Sequence, residues 1–162
     1  MAKPDIQAAL DAVDMTYDEL IQIVDDTRET VLKDVDMLIE DVRNNVQNMS
    51  NDKIRDTLVR LSLQSYSFSS IKDKAAFKAS LAESLRKEAY AKAFGGAVGT
   101  VAQKDGQALL DTASQAVAEK IHDLMSDLFK TSLDEIHRTV DVLKTVLMSR
   151  LTEAKLVAND TQ

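Results

Sequence analysis

Residues 107–157 read QALLDTASQAVAEKIHDLMSDLFKTSLDEIHRTVDVLKTVLMSRLTEAKLV, about fifty residues with neither glycine nor proline. Leu110, Ala113, Val117, Ile121, Leu124 and Leu128, then Ile136, Val140, Leu143, Leu147, Leu151 and Ala154, recur at steps of three and four residues or their multiples. That period aligns one face of an α-helix. The spacing therefore predicts one long amphipathic helix, spanning roughly 75 Å at 1.5 Å per residue, against a radius of gyration of about 15 Å for a compact domain of this size. An elongated protein is expected, with partners along that helix. Ser132-Leu-Asp-Glu135 has the form of a capping box and offers a competing break. Leu128 and Ile136 stay in phase across it and favour continuity. The polar residues 158–162 are expected to fray.

Working outward, the composition suits the same class. The 162 residues include four Phe, three Tyr, no Trp, one Pro and four Gly. Few aromatics beside many aliphatic and charged residues argue for helices packed by aliphatic ridges and against a sandwich or barrel. The expected fold is all-α: an elongated helical hairpin or bundle with a long C-terminal amphipathic helix, completed by oligomerisation. Cysteine is absent, which excludes disulfides and thiolate metal sites. The opening Met1-Ala-Lys-Pro-Asp-Ile-Gln lacks a signal peptide's apolar core, and no apolar run approaches the ~20 residues that cross a bilayer. A soluble cytoplasmic protein, without membrane contact, is expected.

The formal charge of −7 is unevenly spread. Residues 1–50 hold twelve acids against four bases, residues 51–100 five against nine, and residues 101–162 ten against seven. The first fifty form an acidic helical segment, and residues 51–162 form a helical hairpin turning near 95–100. Only the middle can attract a polyanion, and a solvated helix face explains the same lysines.

Pro4 fits the first turn of a helix carrying Ile6, Leu10 and Val13 on one face. A break near Met15 precedes Thr16-Tyr-Asp-Glu19, a capping box. Leu20, Val24, Val31, Val35, Leu38, Val42 and Val46 then mark an acidic helix of about thirty residues. Asn48-Met-Ser-Asn-Asp52 suits a turn, and the next helix begins near Asp52 with Ile54, Leu58 and Leu61. Serines 62, 65, 67, 69 and 70 then allow either a kink near Ser67–Ser70 or an unbroken helix leaving room for a close neighbour. Ala75, Phe77, Ala82, Leu85, Ala89 and Ala93 continue the pattern to Phe94-Gly95-Gly96, the usual C-cap signal. Thr100 is the expected N-cap after a loop over Gly95–Thr100.

Little catalytic chemistry can be assembled. Glu119-Lys-Ile-His122 and Asp134-Glu-Ile-His137 resemble the Glu-x-x-His pairs of di-iron bundles, but fifteen residues along one helix is roughly 22 Å, too far to share a metal. Helical ion pairs are the plainer reading. Ser69-x-x-Lys72 and Ser84-x-x-Lys87 lack the partner motifs of penicillin-binding enzymes. Gly95-Gly-Ala-Val-Gly99-Thr100 lacks the Lys-Ser/Thr ending of a P-loop and follows a helix instead of a strand. A non-enzyme without catalytic residue, metal or cofactor is expected. The candidate site is the basic middle: Lys72, Lys74, Lys78, Arg86, Lys87, Tyr90, Lys92 and Phe94, with Phe77 among them. Basic groups neutralise phosphates while aromatic faces stack bases, which is how single strands are held without sequence readout. Phe77 and Phe94 serve equally as core residues.

The run Ala89-Tyr-Ala-Lys-Ala-Phe-Gly-Gly96, followed by a long helix closing in Arg138-Thr-Val-Asp-Val-Leu-Lys-Thr-Val-Leu-Met-Ser-Arg150, resembles small phage-encoded recombination mediators of the UvsY type. The resemblance covers roughly residues 70–155 and lies in layout. It implies a homo-oligomer in the cytoplasm of a bacterial host, binding single-stranded DNA, contacting a single-strand-binding protein and helping to load a recombinase. Lys87, Tyr90, Lys92 and Phe94 are the DNA contacts it implies. The acidic first fifty residues depart from that pattern. Two other classes stand beside it: a phage assembly protein (scaffold, neck or adaptor component), and a small inhibitor covering a basic surface of a nucleic-acid enzyme with its acidic helix over Asp25–Asp41.

Overall fold

The structure is a computed structural model that describes residues 5–160, with the side chain of Asp160 left aside. Pro4 therefore lies outside the described residues. The fold is all-α, with five α-helices among the described residues: α1 (Ile6–Ala12), α2 (Tyr17–Asn45), α3 (Asn51–Gly96), α4 (Val101–Asp111) and α5 (Ala113–Asp160). A 3-10 turn over Val46–Asn48 joins α2 to α3. None of the helices is long and apolar enough over the described residues to cross a membrane.

Local chemistry sets most of the boundaries. The Asp5 carboxylate accepts the Gln7 N–H at 3.1 Å and caps α1. At the other end Asp14 takes the left-handed φ of +55°, which a short polar side chain tolerates, and the Met15 and Asp14 amides bond the Leu10 and Asp11 carbonyls. The expected break near Met15 is thus a Schellman-type close. The Thr16 capping box forms as expected: the Glu19 amide donates to Thr16 Oγ1 at 3.2 Å, and the Thr16 amide donates to Glu19 Oε2 at 2.7 Å. A second box opens α4, with Thr100 accepting from the Gln103 amide and Gln103 Oε1 accepting from the Thr100 amide at 2.9 Å. Gly99, at φ +126°, is required beside it, because a Cβ there would meet Gln103 Oε1 at 2.6 Å.

Four points differ from the sequence reading or settle its alternatives. The long C-terminal segment breaks at Thr112, five residues into the stretch read as one helix, while α5 runs unbroken through Ser132. Thr112 is 2 % exposed; its hydroxyl donates back to the Ala108 carbonyl at 2.8 Å and its amide reaches Leu109, a tighter bond that ends α4. Ser132 is itself buried, a small residue seated on the core face of α5. The serine-rich run 62–70 lies inside an unbroken α3, where Ser65 donates to the Ser62 carbonyl at 2.8 Å. Ala158 and Asn159, expected to fray, are helical.

The chain divides into two compact units, Met1–Arg28 with Ile71–Leu128, and Glu29–Ser70 with Phe129–Gln162. In the first, Ala9, Leu10, Leu20, Ala113, Ala116 and Val117 form the core, with Ile6, Val13, Met15, Ile121 and Leu124 packed against it. Its small residues let α1, α2 and α5 approach closely. In the second unit the buried side chains include Leu32, Val35 and Val42 of α2, Ile54 and Leu61 of α3, and Ile136, Val140 and Leu143 of α5. Phe68 and Phe129 meet there at 5.9 Å between ring centroids, tilted by 56°. Buried hydroxyls find partners within their own helices, Thr57 on the Lys53 carbonyl and Thr139 on the Glu135 carbonyl. Arg150 closes this unit by donating to the carbonyls of Val46, Gln47 and Met49 and to Asn51 Oδ1, at 2.5–3.2 Å. A guanidinium there satisfies the carbonyls left over at the end of α2.

Candidate functional site

All eight residues of the basic site fall on α3 between Lys72 and Phe94, within the first unit. Helix α3 does not present them as one surface. Arg86 points inward with its side chain only 5 % exposed, and its Nε donates to Glu119 Oε2 on α5 at 2.7 Å. A buried guanidinium needs such a partner, since desolvating an unpaired charge is costly. Its charge is committed to the α3–α5 contact and cannot serve a phosphate.

Three lysines are held by carboxylates on their own helix: Lys72 by Asp73 at 3.1 Å, Lys87 by Glu83 at 2.6 Å and Lys92 by Glu88 at 2.6 Å. The last two are helical i,i+4 pairs with glutamate N-terminal, the favoured order. The Lys87 ammonium, by hydrogen bond first and charge second, holds Glu83 below its ordinary pKa, and Lys92 does the same to Glu88. The aromatic pair is also engaged. Tyr90 O–H donates to Asp105 on α4, a contact that raises the phenol pKa, and its ring stacks on Phe94 with centroids 6.0 Å apart and planes 19° apart. Tyr90 and Phe94, both half-buried, therefore close the hairpin at the exposed Gly95 and Gly96.

What remains outward is smaller than the sequence suggested: Lys74 and Lys78, one turn apart, with Phe77 between them at 69 % exposure. No carboxylate reaches either lysine among the described ion pairs. On the other side of α3, facing α5, lies a groove of about 450 Å³ carrying Glu83, Glu119, Asp123 and Asp127 beside Lys120. Burial, then the charge of Glu119, pushes the Asp123 carboxyl above its ordinary pKa. This acidic side repels a polyanion, whereas Lys74 and Lys78 have no carboxylate partner among the described ion pairs.

The other motifs have local explanations. Ser84 Oγ donates to the Ser80 carbonyl at 3.0 Å while Lys87 is paired with Glu83, so the two are not joined as nucleophile and base. Glu119, first member of one acid-x-x-His pair, is taken by Arg86. No three His, Asp or Glu side chains among the described residues stand close enough to hold a metal.

Sequence reading missed two surfaces. One is a groove of about 310 Å³ in the first unit, lined by Ala8, Ala9, Gly106, Leu109, Leu110 and Ala116. It exists because α4 ends at Thr112, which takes Leu110 off the α5 stripe and leaves it exposed. The other is the outer side of α3. At 100° per residue, the buried Ile54, Leu61, Phe68, Ala75 and Ala79 share one side, and exposed apolar residues occupy the opposite one: Val59, Leu63 and Tyr66 in the second unit, Phe77, Leu81 and Leu85 in the first. The signal was present as a second stripe half a turn from the first, hidden because α3 is apolar on both sides. No protein-family model, no curated protein and no solved structure matches this chain.

Proposed function

We propose that the protein is a non-enzymatic helical accessory protein that works as a homo-oligomer through the exposed apolar sides of its helices. The observation that carries this reading is the outer side of α3, where in each unit three large apolar side chains stand at helical spacing away from that unit's core, Val59, Leu63 and Tyr66 in one and Phe77, Leu81 and Leu85 in the other. Fully burying one such side chain is worth ~1.5–3 kcal/mol; at half exposure roughly 1 kcal/mol each remains, several kcal/mol together before the entropy of association. Solvent-exposed stripes at this spacing mark association surfaces. Sedimentation and light scattering at micromolar concentration test it: a discrete multimer is expected, and a monodisperse monomer at high concentration refutes it.

A second reading, a recombination mediator binding single-stranded DNA, is supported by Lys74 and Lys78 flanking the exposed Phe77. With Lys74 and Lys78 as its cations outside the described ion pairs, its footprint is small and its salt dependence modest, log K falling by roughly 1.4 per decade of salt. Fluorescence anisotropy with labelled single-stranded DNA tests it, and absence of binding at low salt rules it out.

A further inference from the structure

The first unit carries two exposed amphipathic stripes of opposite charge. On α3, Phe77, Leu81 and Leu85 are exposed at i, i+4 and i+8, with Lys74 and Lys78 beside them. On the first turns of α2, Tyr17 and Ile21 are exposed at i and i+4, flanked by the exposed Asp18 and Asp25. The two share one feature, a charge three residues before an exposed apolar side chain, Asp18 before Ile21 and Lys74 before Phe77; the second charge follows at i+7 on α2 (Asp25) and at i+4 on α3 (Lys78). None of these four charged residues takes part in a described ion pair, and apolar side chains left in water at this spacing lie ready for a helix of matching pattern.

We infer that the Lys74–Phe77–Leu81 stripe of α3 receives the Asp18–Ile21–Asp25 stripe of α2 from a second copy of this chain. The occupant follows from charge. An anionic partner helix is needed, and the same unit supplies one, with Asp18 and Asp25 exposed beside an apolar ridge of Tyr17 and Ile21 to cover Phe77. Such a surface is self-complementary. In a twofold dimer each copy offers both stripes, so the contact occurs twice and closes. Complementary charges set the register and disfavour wrong pairings while the apolar ridge supplies the affinity. This inference rests on the self-association proposed above and names one of its surfaces.

The test uses the full-length chain in sedimentation velocity and native mass spectrometry, with four proteins: wild type, Lys74→Glu/Lys78→Glu, Asp18→Lys/Asp25→Lys, and the variant carrying all four changes. Each double variant sets like charges against one another and should weaken self-association at least about ten-fold. Mixed one to one, the double variants meet as opposite charges at both contacts and should form a heterodimer. The four-fold variant should associate on its own. That rescue separates the inference from misfolding, which mixing cannot repair. A wild-type monomer would overturn the self-association reading and this surface together. A wild-type oligomer that both double variants leave intact, or a loss that mixing does not restore, would overturn this surface alone. So would a Lys74→Glu/Lys78→Glu protein that keeps its mass and loses affinity for single-stranded DNA, since the stripe would then belong to a nucleic acid.

Discussion

The Arg86–Glu119 pair is the contact on which the reassignment of the basic segment turns, and replacing Arg86 by methionine isolates it. Methionine keeps the length and apolar body of the side chain but leaves the Glu119 carboxylate, 18 % exposed and with Asp123 nearby, without its cation. Removing one member of a buried pair typically costs ~3–5 kcal/mol. Glu119 keeps some access to water, so the lower end applies, about 3 kcal/mol, or a fall in Tm of roughly 6–12 °C for a chain of this size. Replacing both, Arg86→Met with Glu119→Leu, removes the stranded charge as well and should return within about 1 kcal/mol of wild type. Urea denaturation followed by helical circular dichroism, at one fixed protein concentration, reads all four corners of the cycle. If Arg86→Met unfolds within about 1 kcal/mol of wild type, or if the double replacement costs the sum of the two single ones, the pair is not the buried contact described. A variant that stayed fully stable but lost affinity for single-stranded DNA would return Arg86 to the surface role that its sequence position suggested.

Three further outcomes follow from local geometry. Gly99→Ala places a Cβ 2.6 Å from Gln103 Oε1 at a φ of +126° and should cost ~1–3 kcal/mol in chemical denaturation, part of it recovered by shortening Gln103 to Ala. Arg150→Ala strips the Val46, Gln47 and Met49 carbonyls of their donor and should cost ~1–2 kcal/mol, with faster amide exchange confined to the 46–51 turn and the last turns of α5. Thr16→Ala should cost ~1 kcal/mol as a lost cap. Glu19 in the same box is held below its ordinary value of 4.5 by the Thr16 amide first and the Thr16 hydroxyl second. Because its folded pKa is depressed, its contribution is complete above about pH 5 and is lost as pH falls through the folded value. The stability gap between wild type and Glu19→Gln should therefore close in acid, and a gap independent of pH would refute the box.

Features set by near neighbours in the chain were legible before any coordinates. The Thr16–Glu19 box, the break at Met15, a start of α3 near Asp52 and the Thr100 cap each need only residues within about five positions, and all formed, whereas α3 runs on through Gly95 and Gly96, where the loop was expected to begin, and the left-handed glycine is Gly99. The Thr112 break was also local, but its cause is a hydroxyl back-bond that leaves no glycine or proline to announce it. Periodicity placed the apolar side of α5 correctly through Leu143. It overlooked the outer side of α3, because a helix apolar on two opposite sides shows no single period.

By itself, then, the sequence determined an all-α chain, its helix caps and the acidic and basic segments, since hydrogen bonds between near neighbours and a 3.6-residue repeat are written in order along the chain. Tertiary structure alone decided which charges remain for a partner. Arg86 meets Glu119 across thirty-three positions and Tyr90 meets Asp105 across fifteen. Those pairings depend on two helices being laid side by side, and a charge neutralised by such a neighbour looks the same in sequence as one left facing water.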